Sequence, residues 1–298
     1  MKKQPKINKT GFLNIDKPSG IVSSVVVNKI KWLTGMPCGH LGTLDPLASG
    51  VLPVGVGNAT RLFDYFLEKK KEYIAEFTFG VSSDTLDSTG ELVFGGRVPS
   101  LAEIERALPA LCGEVWQVPP KYSAKNVNGR RGYDLAREGV EFELAPKKIV
   151  IYGMELMGPV EGKEGAVAVK IECGGGTYIR SIGRDLAAAL GTNAVMSALR
   201  RAKSGVFEAE KALPFEKLCK EDLTAEELEG YIVATEDVLP FERLRLCGRG
   251  WQRIFNGVAV RVENFEADGD YKFYNEDGSF YGIARVQDGL AKLKTKLC

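Results

Sequence analysis

A single acid, Asp45, interrupts the glycine-rich run GHLGTLDPLASGVLPVGVGNATRL at residues 39–62. Pro46 disfavours helical backbone at the residue before it, so the Asp45 carboxylate is expected on an extended or turning loop, between apolar Leu44 and Leu47. A carboxylate placed there can serve as a nucleophile or a base, and partial desolvation strengthens it provided that a cation keeps it ionised. An isolated Asp-Pro pair is more often a plain turn. Chemistry therefore requires partners, and a second turn-to-helix segment offers a place for them: GGGTYIRSIGRDLAAALG, residues 174–191, with Thr177 as the expected cap and Gly191 as the stop.

Other chemistries fit less well. The six cysteines form no C-x-x-C pair and have only one histidine, His40, beside them, so a zinc site fits badly and reduced thiols in a cytoplasmic protein fit best. The basic N-terminus is followed by no apolar signal region, and no apolar run reaches the roughly 18 residues that span a membrane. Neither GVGNATR nor GGGTYIR has phosphate-loop spacing, which counts against a nucleotide-hydrolysing enzyme.

The elements that must hold these segments can be read from pattern. GFLNIDK reads as a strand, SSVVVNKIKWLTG as a helix with a serine cap and a terminal glycine, and VLPVGV as a short buried strand. NATRLFDYFLEK reads as a helix capped by Asn58, with Leu62, Phe63, Phe66 and Leu67 as its apolar stripe. YIAEFTFG alternates as a strand, Ser100 and Glu103 form a capping box, and strand signals return at IVIYGMEL and AVAVKIEC. Between them PPKYSAKNVNGRR, from Pro119 to Arg131, reads as a polar surface loop or projecting arm. From Leu239 onward short glycine-bounded strands with hairpin signals at Asp277-Gly278 and Asp288-Gly289 indicate a small β domain appended to a mixed α and β domain. Lys292, Lys294 and Lys296 share one face of its last strand, either as an outward basic row or as a guard against edge pairing.

Net charge is only +1, but it is segregated. Lys2, Lys3, Lys6, Lys9, Lys17, Lys29 and Lys31 face one acid, Asp16, near the N-terminus; Lys121, Lys125, Arg130 and Arg131 cluster in the arm; and Arg180, Arg184, Arg200, Arg201 and Lys203 contain only Asp185. Acids concentrate between Glu216 and Asp237. That pattern suits a polyanion cleft on a neutral body, and solvated helix faces explain it about as well.

The Asp45 segment resembles the signature of the TruB family of tRNA pseudouridine synthases, G-H-x-G-x-L-D-P-x-A-x-G-x-L-P followed by a further glycine and A-T. FLNIDKPSGIVSS, KEYIAEFTFGVSSDTLDSTG, GTYIRSIGRDL and ALRRAKSGVF resemble the family's other motifs in family order, so the likeness runs from residue 11 to about 207. It implies an α+β fold: a mixed, mainly antiparallel sheet domain of pseudouridine-synthase type over residues 1–238, with an RNA-gripping insertion at 119–147. A small C-terminal β domain, PUA-like and able to bind RNA, would occupy residues 239–298. The implied activity is isomerisation of a flipped-out T-loop uridine, uridine 55 of tRNA, by a cytoplasmic, cofactor-free and metal-free enzyme. Its partner would be the tRNA T stem-loop, met by a monomer with no obligate protein partner.

The same resemblance assigns roles. Asp45 would be the nucleophile, Arg180 the cation that holds it ionised, and Tyr73 the ring packed on the target base. Tyr178 and Leu199 would complete the uracil pocket, Asp87 would belong to the substrate-binding set, and His40 would stack where the flipped base had been. Lys17, Lys121, Lys125, Arg130 and Arg131 would position phosphates. Two readings stay open beside it: an RNA-binding or tRNA-folding protein on the same scaffold without catalysis, and a guide-RNA-dependent relative working within a multiprotein particle.

Overall fold

The computed structural model describes residues 7–67, 69–123, 125–127, 129–244, 246, 250–262, 265 and 267–297. Lys2, Lys3, Lys6, Cys247 and Cys298, together with the side chain of Leu67, lie outside the described residues.

Alternation in KEYIAEFTF dictates the centre of the sheet. Lys71, Tyr73, Ala75, Phe77 and Phe79 fall on one face at period two and all are buried. The strand they form, β4 (Lys71–Phe79), lies within a sheet whose other main members are β1 (Gly11–Lys17), β2 (Cys38–His40), β3 (Ala48–Val56), β5 (Gly113–Gln117), β6 (Lys147–Pro159), β7 (Ala166–Cys173) and β8 (Ala194–Ser204). Their spatial order is β1-β3-β8-β4-β7-β6-β5, with β2 paired on β3. Neighbours are antiparallel except β3 with β8 and β1 with the short Leu213–Pro214 strand, which gives the mixed, mainly antiparallel α+β architecture.

Two helices cover the buried face: α1 (Ser23–Thr34) and, further along the chain, α4 (Ile179–Ala189). Between them in sequence lie α2 (Leu101–Ala107), begun by the Ser100–Glu103 capping box as the sequence predicts, and α3 (Gly132–Arg137). A Cβ at Gly183 would stand 2.6 Å from the Phe77 ring, so a glycine there lets α4 lie close on β4. Gly35, at φ 67, ends α1 as expected.

Three expected caps are different in the structure. Ser23 is the first residue of α1 rather than its cap, and its hydroxyl turns inward to Leu44. Asn58 sits inside a 3₁₀ turn, Gly57–Leu62, that leads into a short helix, Phe63–Leu67, and Phe63 is exposed. Thr177 lies one residue before the Tyr178 cap position and donates to Gly174 O at 3.0 Å. For Ser23 and Thr177 a tertiary or turn partner outcompetes the helix terminus for the same polar side chain. The predicted arm contains a small hairpin, Asn126–Val127 with Arg130–Arg131, followed directly by α3.

Towards the C-terminus come α5 (Gly250–Phe255) and a four-stranded sheet of β9 (Val260–Arg261), β10 (Gly269–Tyr274), β11 (Phe280–Gln287) and β12 (Leu290–Lys296), in the order β9-β12-β11-β10. Both predicted hairpins form, and Asp288 and Gly289 adopt φ 50 and 73 at the second. This sheet has its own core around Phe273, Ile254 and Val286. A second apolar cluster, including Phe12, Leu62, Phe66, Ile283 and Leu297, joins it to the large sheet. Lys292, Lys294 and Lys296 are exposed, but Lys294 bonds Asp270 at 2.9 Å and lies over the Tyr65 ring, so the row is partly spent on internal contacts.

Candidate active site

Asp45 lies between β2 and β3, and side chains distant in sequence fix the backbone on both sides of it. Ser23 Oγ accepts from Leu44 N at 3.0 Å and donates to Leu44 O at 2.9 Å. Ser19 Oγ donates to Leu47 O at 2.7 Å, and Gly20 N to Pro46 O at 2.8 Å. Beneath the loop Arg201, only 1% exposed, sends Nε to Val51 O at 2.7 Å and Nη2 to Gly42 O at 3.0 Å. Gly50 makes room for this arginine's backbone: its φ is +100, and a Cβ would meet Arg201 O at 2.3 Å.

Arg180, in the first turn of α4, is 7% exposed, and each of its three side-chain nitrogens is engaged. Nε meets Asp45 Oδ2 at 2.9 Å, Nη1 meets Asp87 Oδ2 at 3.5 Å and Thr85 O at 3.1 Å, and Nη2 donates to Tyr122 O at 3.0 Å. Asp87 is itself held by Thr85 Oγ1 at 2.8 Å and Thr89 N at 3.0 Å. One guanidinium thus joins two carboxylates and the carbonyls of two loops, a use for which the planar arginine fork suits better than lysine. The helix start is clamped in turn: Gln117 donates to Tyr178 O at 3.1 Å and accepts from Tyr178 N at 2.8 Å.

Above the ion pair opens a cavity of about 740 Å³. Tyr73, Tyr178 and Leu199 line it beside Asp45, and the arm contributes Ser123, Tyr133 and Arg137. Asp45 keeps 34% of its side chain exposed, so the carboxylate is accessible while its partner is not. Burial raises the Tyr73 phenol, so the hydroxyl stays protonated around neutral pH. Burial pushes Lys71 down to about 8, with Arg201 adding to the effect. Lys17 also falls to about 8 through burial, against the pull of Asp45.

The structure therefore brings Asp45, Arg180, Tyr73, Tyr178, Leu199 and Asp87 into one place. His40 is outside it: half-buried on β2 opposite Val54, it does not line the cavity. Lys17 is corrected from a phosphate contact to an internal clamp, because it is 0% exposed and its ammonium donates to Pro18 O at 2.9 Å and Ile21 O at 2.8 Å. Lys121, Lys125, Arg130 and Arg131 lie on the arm outside the cavity, and Arg130 is paired with Glu138. Arg130 and Arg131 instead border an open groove of about 560 Å³ that also includes Arg137. Sequence reasoning missed Ser23, Gln117, Ser123 and Arg201. A signal existed for the last: Arg201 stands two residues after Leu199 and so shares its strand face.

Among the described residues no group of three or more His, Cys, Asp or Glu side chains is placed to hold a metal ion, and no helix is long and apolar enough to cross a membrane.

Comparison with known proteins gives consistent results. Residues 31–179 match the TruB family pseudouridylate synthase N-terminal domain and residues 180–244 the tRNA pseudouridylate synthase B C-terminal domain. The chain is 37% identical over 287 residues to tRNA pseudouridine synthase B of Clostridium acetobutylicum, covering 93% of this chain and 96% of that one. It is 36% identical over 295 residues to the same-named protein of Aquifex aeolicus, covering 96% and 99%. In fold it is similar to a chain of a Cbf5-Nop10-Gar1 complex, with TM-score 0.69, 24% identity, and coverage of 97% of this chain and 85% of that one.

Proposed function

Because the chain belongs to the TruB family of pseudouridylate synthases, we propose that it isomerises a flipped-out uridine of the tRNA T loop to pseudouridine, with Asp45 as the nucleophile. The observation that carries this reading is the 2.9 Å contact between Arg180 Nε and the Asp45 carboxylate, at the base of a cavity walled by Tyr73, Tyr178 and Leu199.

The reaction breaks the bond from N1 to C1′, turns the uracil and joins C5 to C1′; the proton leaves C5 and N1 gains one. Nothing is oxidised or added. Three routes begin from the same carboxylate, by addition to C1′, addition to the base, or removal of the C2′ proton, and all need an accessible anion held in a fixed position. Arg180 supplies opposite charge and orientation, and its own immobility means that little reorganisation accompanies the reaction. Tyr73 and Tyr178 provide ring faces and Leu199 an apolar wall for the detached uracil. Extruding a base costs roughly a few kcal/mol. The arm and its basic residues would offset that by gripping the RNA, with the sheet at 260–296 as a PUA-like second contact on a domain of residues 239–298. The enzyme would act on tRNA as a cytoplasmic monomer without a protein partner.

The test is to incubate the protein and its Asp45→Asn variant with a T-arm stem-loop RNA in EDTA buffer and map pseudouridine by carbodiimide-stop sequencing. Conversion of one loop uridine by wild type alone is expected. Tight binding by both without conversion by either would leave an RNA-binding protein.

A further inference from the structure

Ser123 stands out among the residues of the cavity. It belongs to the base of the arm, is 4% exposed, and lines the cavity beside Asp45 and Arg180. Its Oγ is fully buried and makes no hydrogen bond among the described residues. Its backbone is nonetheless fixed on both sides: the amide donates to Lys121 O at 2.9 Å and the carbonyl accepts from Tyr133 N at 2.9 Å. The preceding carbonyl, Tyr122 O, is one of the four acceptors of Arg180. The hydroxyl is thus held one residue from a contact of the catalytic ion pair, on the wall that the arm contributes.

A buried hydroxyl left without a partner costs roughly 1–3 kcal/mol, and nearly all buried polar groups find one. A turn about the Ser123 Cα–Cβ bond would bring the hydroxyl to the cavity that the residue lines, where a ligand can provide the partner. Tyr73, Tyr178 and Leu199 make the apolar wall, and the arm supplies the polar one with Ser123, Tyr122 and Arg137. A nucleotide whose base lies against the apolar wall turns its sugar and phosphate towards the arm. We propose that Ser123 is a substrate-positioning residue whose hydroxyl donates to an oxygen of the ribose-phosphate backbone of the target nucleotide. This inference rests on the uridine-isomerising reading. It assigns to the arm a direct contact with the reacting nucleotide, besides any grip on the surrounding RNA.

The experiment compares wild type with Ser123→Ala and Ser123→Thr on three T-arm stem-loops: unmodified, 2′-deoxy at the target, and methylphosphonate at the flanking linkages. Dissociation constants come from filter binding, conversion from single turnovers, and folding from thermal melts without RNA. Ser123→Ala is expected to bind the unmodified RNA about tenfold more weakly, equivalent to about 1.4 kcal/mol. Its melting temperature without RNA should be unchanged or higher, since an unsatisfied group has been removed, whereas a purely structural serine would lower it. Ser123→Thr keeps the hydroxyl and should recover most of the binding. The Ser123→Ala penalty should vanish on the 2′-deoxy RNA if the 2′-hydroxyl is the acceptor, and on the methylphosphonate RNA if phosphate is. An alanine variant that binds unmodified RNA within twofold of wild type, or a penalty equal on all three RNAs, overturns the proposal while wild-type conversion keeps the enzymatic reading. Failure of wild type to convert the unmodified RNA overturns both.

Discussion

The loop that carries Asp45 and the arm from Pro119 to Arg137 face the same cavity but are built in opposite ways. The loop is short, and buried side chains from elsewhere hold its backbone: Ser23, Arg201 and, through the carboxylate itself, Arg180. The arm has a hairpin with two-residue strands, a six-residue helix and mostly exposed charges, with Pro119, Pro120, Ser123, Gly132 and Leu135 as its buried points among the described residues. The difference separates two kinds of work. A reacting group loses rate when it is misplaced by even an ångström. A surface that attracts a polyanion needs charge in the right region and tolerates movement.

Replacing the proposed nucleophile should give the largest effect. Asp45→Asn should lower single-turnover conversion by about 10⁴-fold or more while RNA binding measured by filter retention stays within a few-fold. A comparable drop in binding would show that loop and arm do not divide the work. Arg180→Ala comes next: it should cost about 10³-fold in conversion and, because Asp87 is left buried without its cation, about 3–5 kcal/mol in denaturant unfolding. Arg180→Lys should recover part of the stability and little of the rate, since one ammonium cannot span four acceptors.

Arg201→Met removes a side chain that holds the loop and also reaches the Tyr73 hydroxyl at the cavity, and it tests the idea of a fixed loop. It should lower kcat about 100-fold with KM nearly unchanged, as expected for a displaced carboxylate. A rise in KM alone would place Arg201 in binding instead. Changes in the arm should produce the reverse pattern. Alanine at Lys121, Lys125 or Arg131 should leave kcat and the melting temperature unaltered, weaken RNA binding a few-fold, and reduce the salt slope of log K by about 1 for each phosphate that is no longer neutralised.

The smallest effect concerns pH and two buried lysines, Lys17 at the end of β1 and Lys71 at the start of β4. Lys17 and Lys71 titrate at about 8 in the folded protein against 10.5 when exposed, so between those values the unfolded chain holds more protons and stability rises with pH. Below about 8 both states are protonated and the cost of burying the charge is constant. Tyr73 and Cys173, whose values are raised, oppose this trend at higher pH. The difference between wild type and Lys17→Met cancels their contribution and should show the rise reduced over the window from about 8 to 10.5. A variant with the same pH slope as wild type would place the Lys17 ammonium in contact with water.

Much of this was legible beforehand because it is local. Period-two burial fixed β4, Gly35 fixed the end of α1, Ser100 and Glu103 fixed the start of α2, and Asp288-Gly289 fixed a hairpin. The caps assigned to Ser23 and Thr177 failed because each side chain has a choice of partners: Ser23 turns to Leu44, 21 residues on, and Thr177 to Gly174 in its own turn, while Asn58 falls inside a 3₁₀ turn. Lys17 was misplaced for a related reason. Its charge suggests phosphate, and only the folded chain puts Pro18 O and Ile21 O around a fully buried ammonium.

By itself the sequence determined that Asp45 stands on a constrained loop and that Arg180 begins a helix, since proline, glycine and apolar period act on their immediate neighbours. Only the tertiary structure decided that these two side chains meet at 2.9 Å, that Arg201 underpins the loop, and that Ser123 lines the cavity with a buried hydroxyl left without a partner. The first two join residues 135 to 159 positions apart in the chain. Such separations are set by which strands pair and which helix lies across them, and no local pattern encodes that.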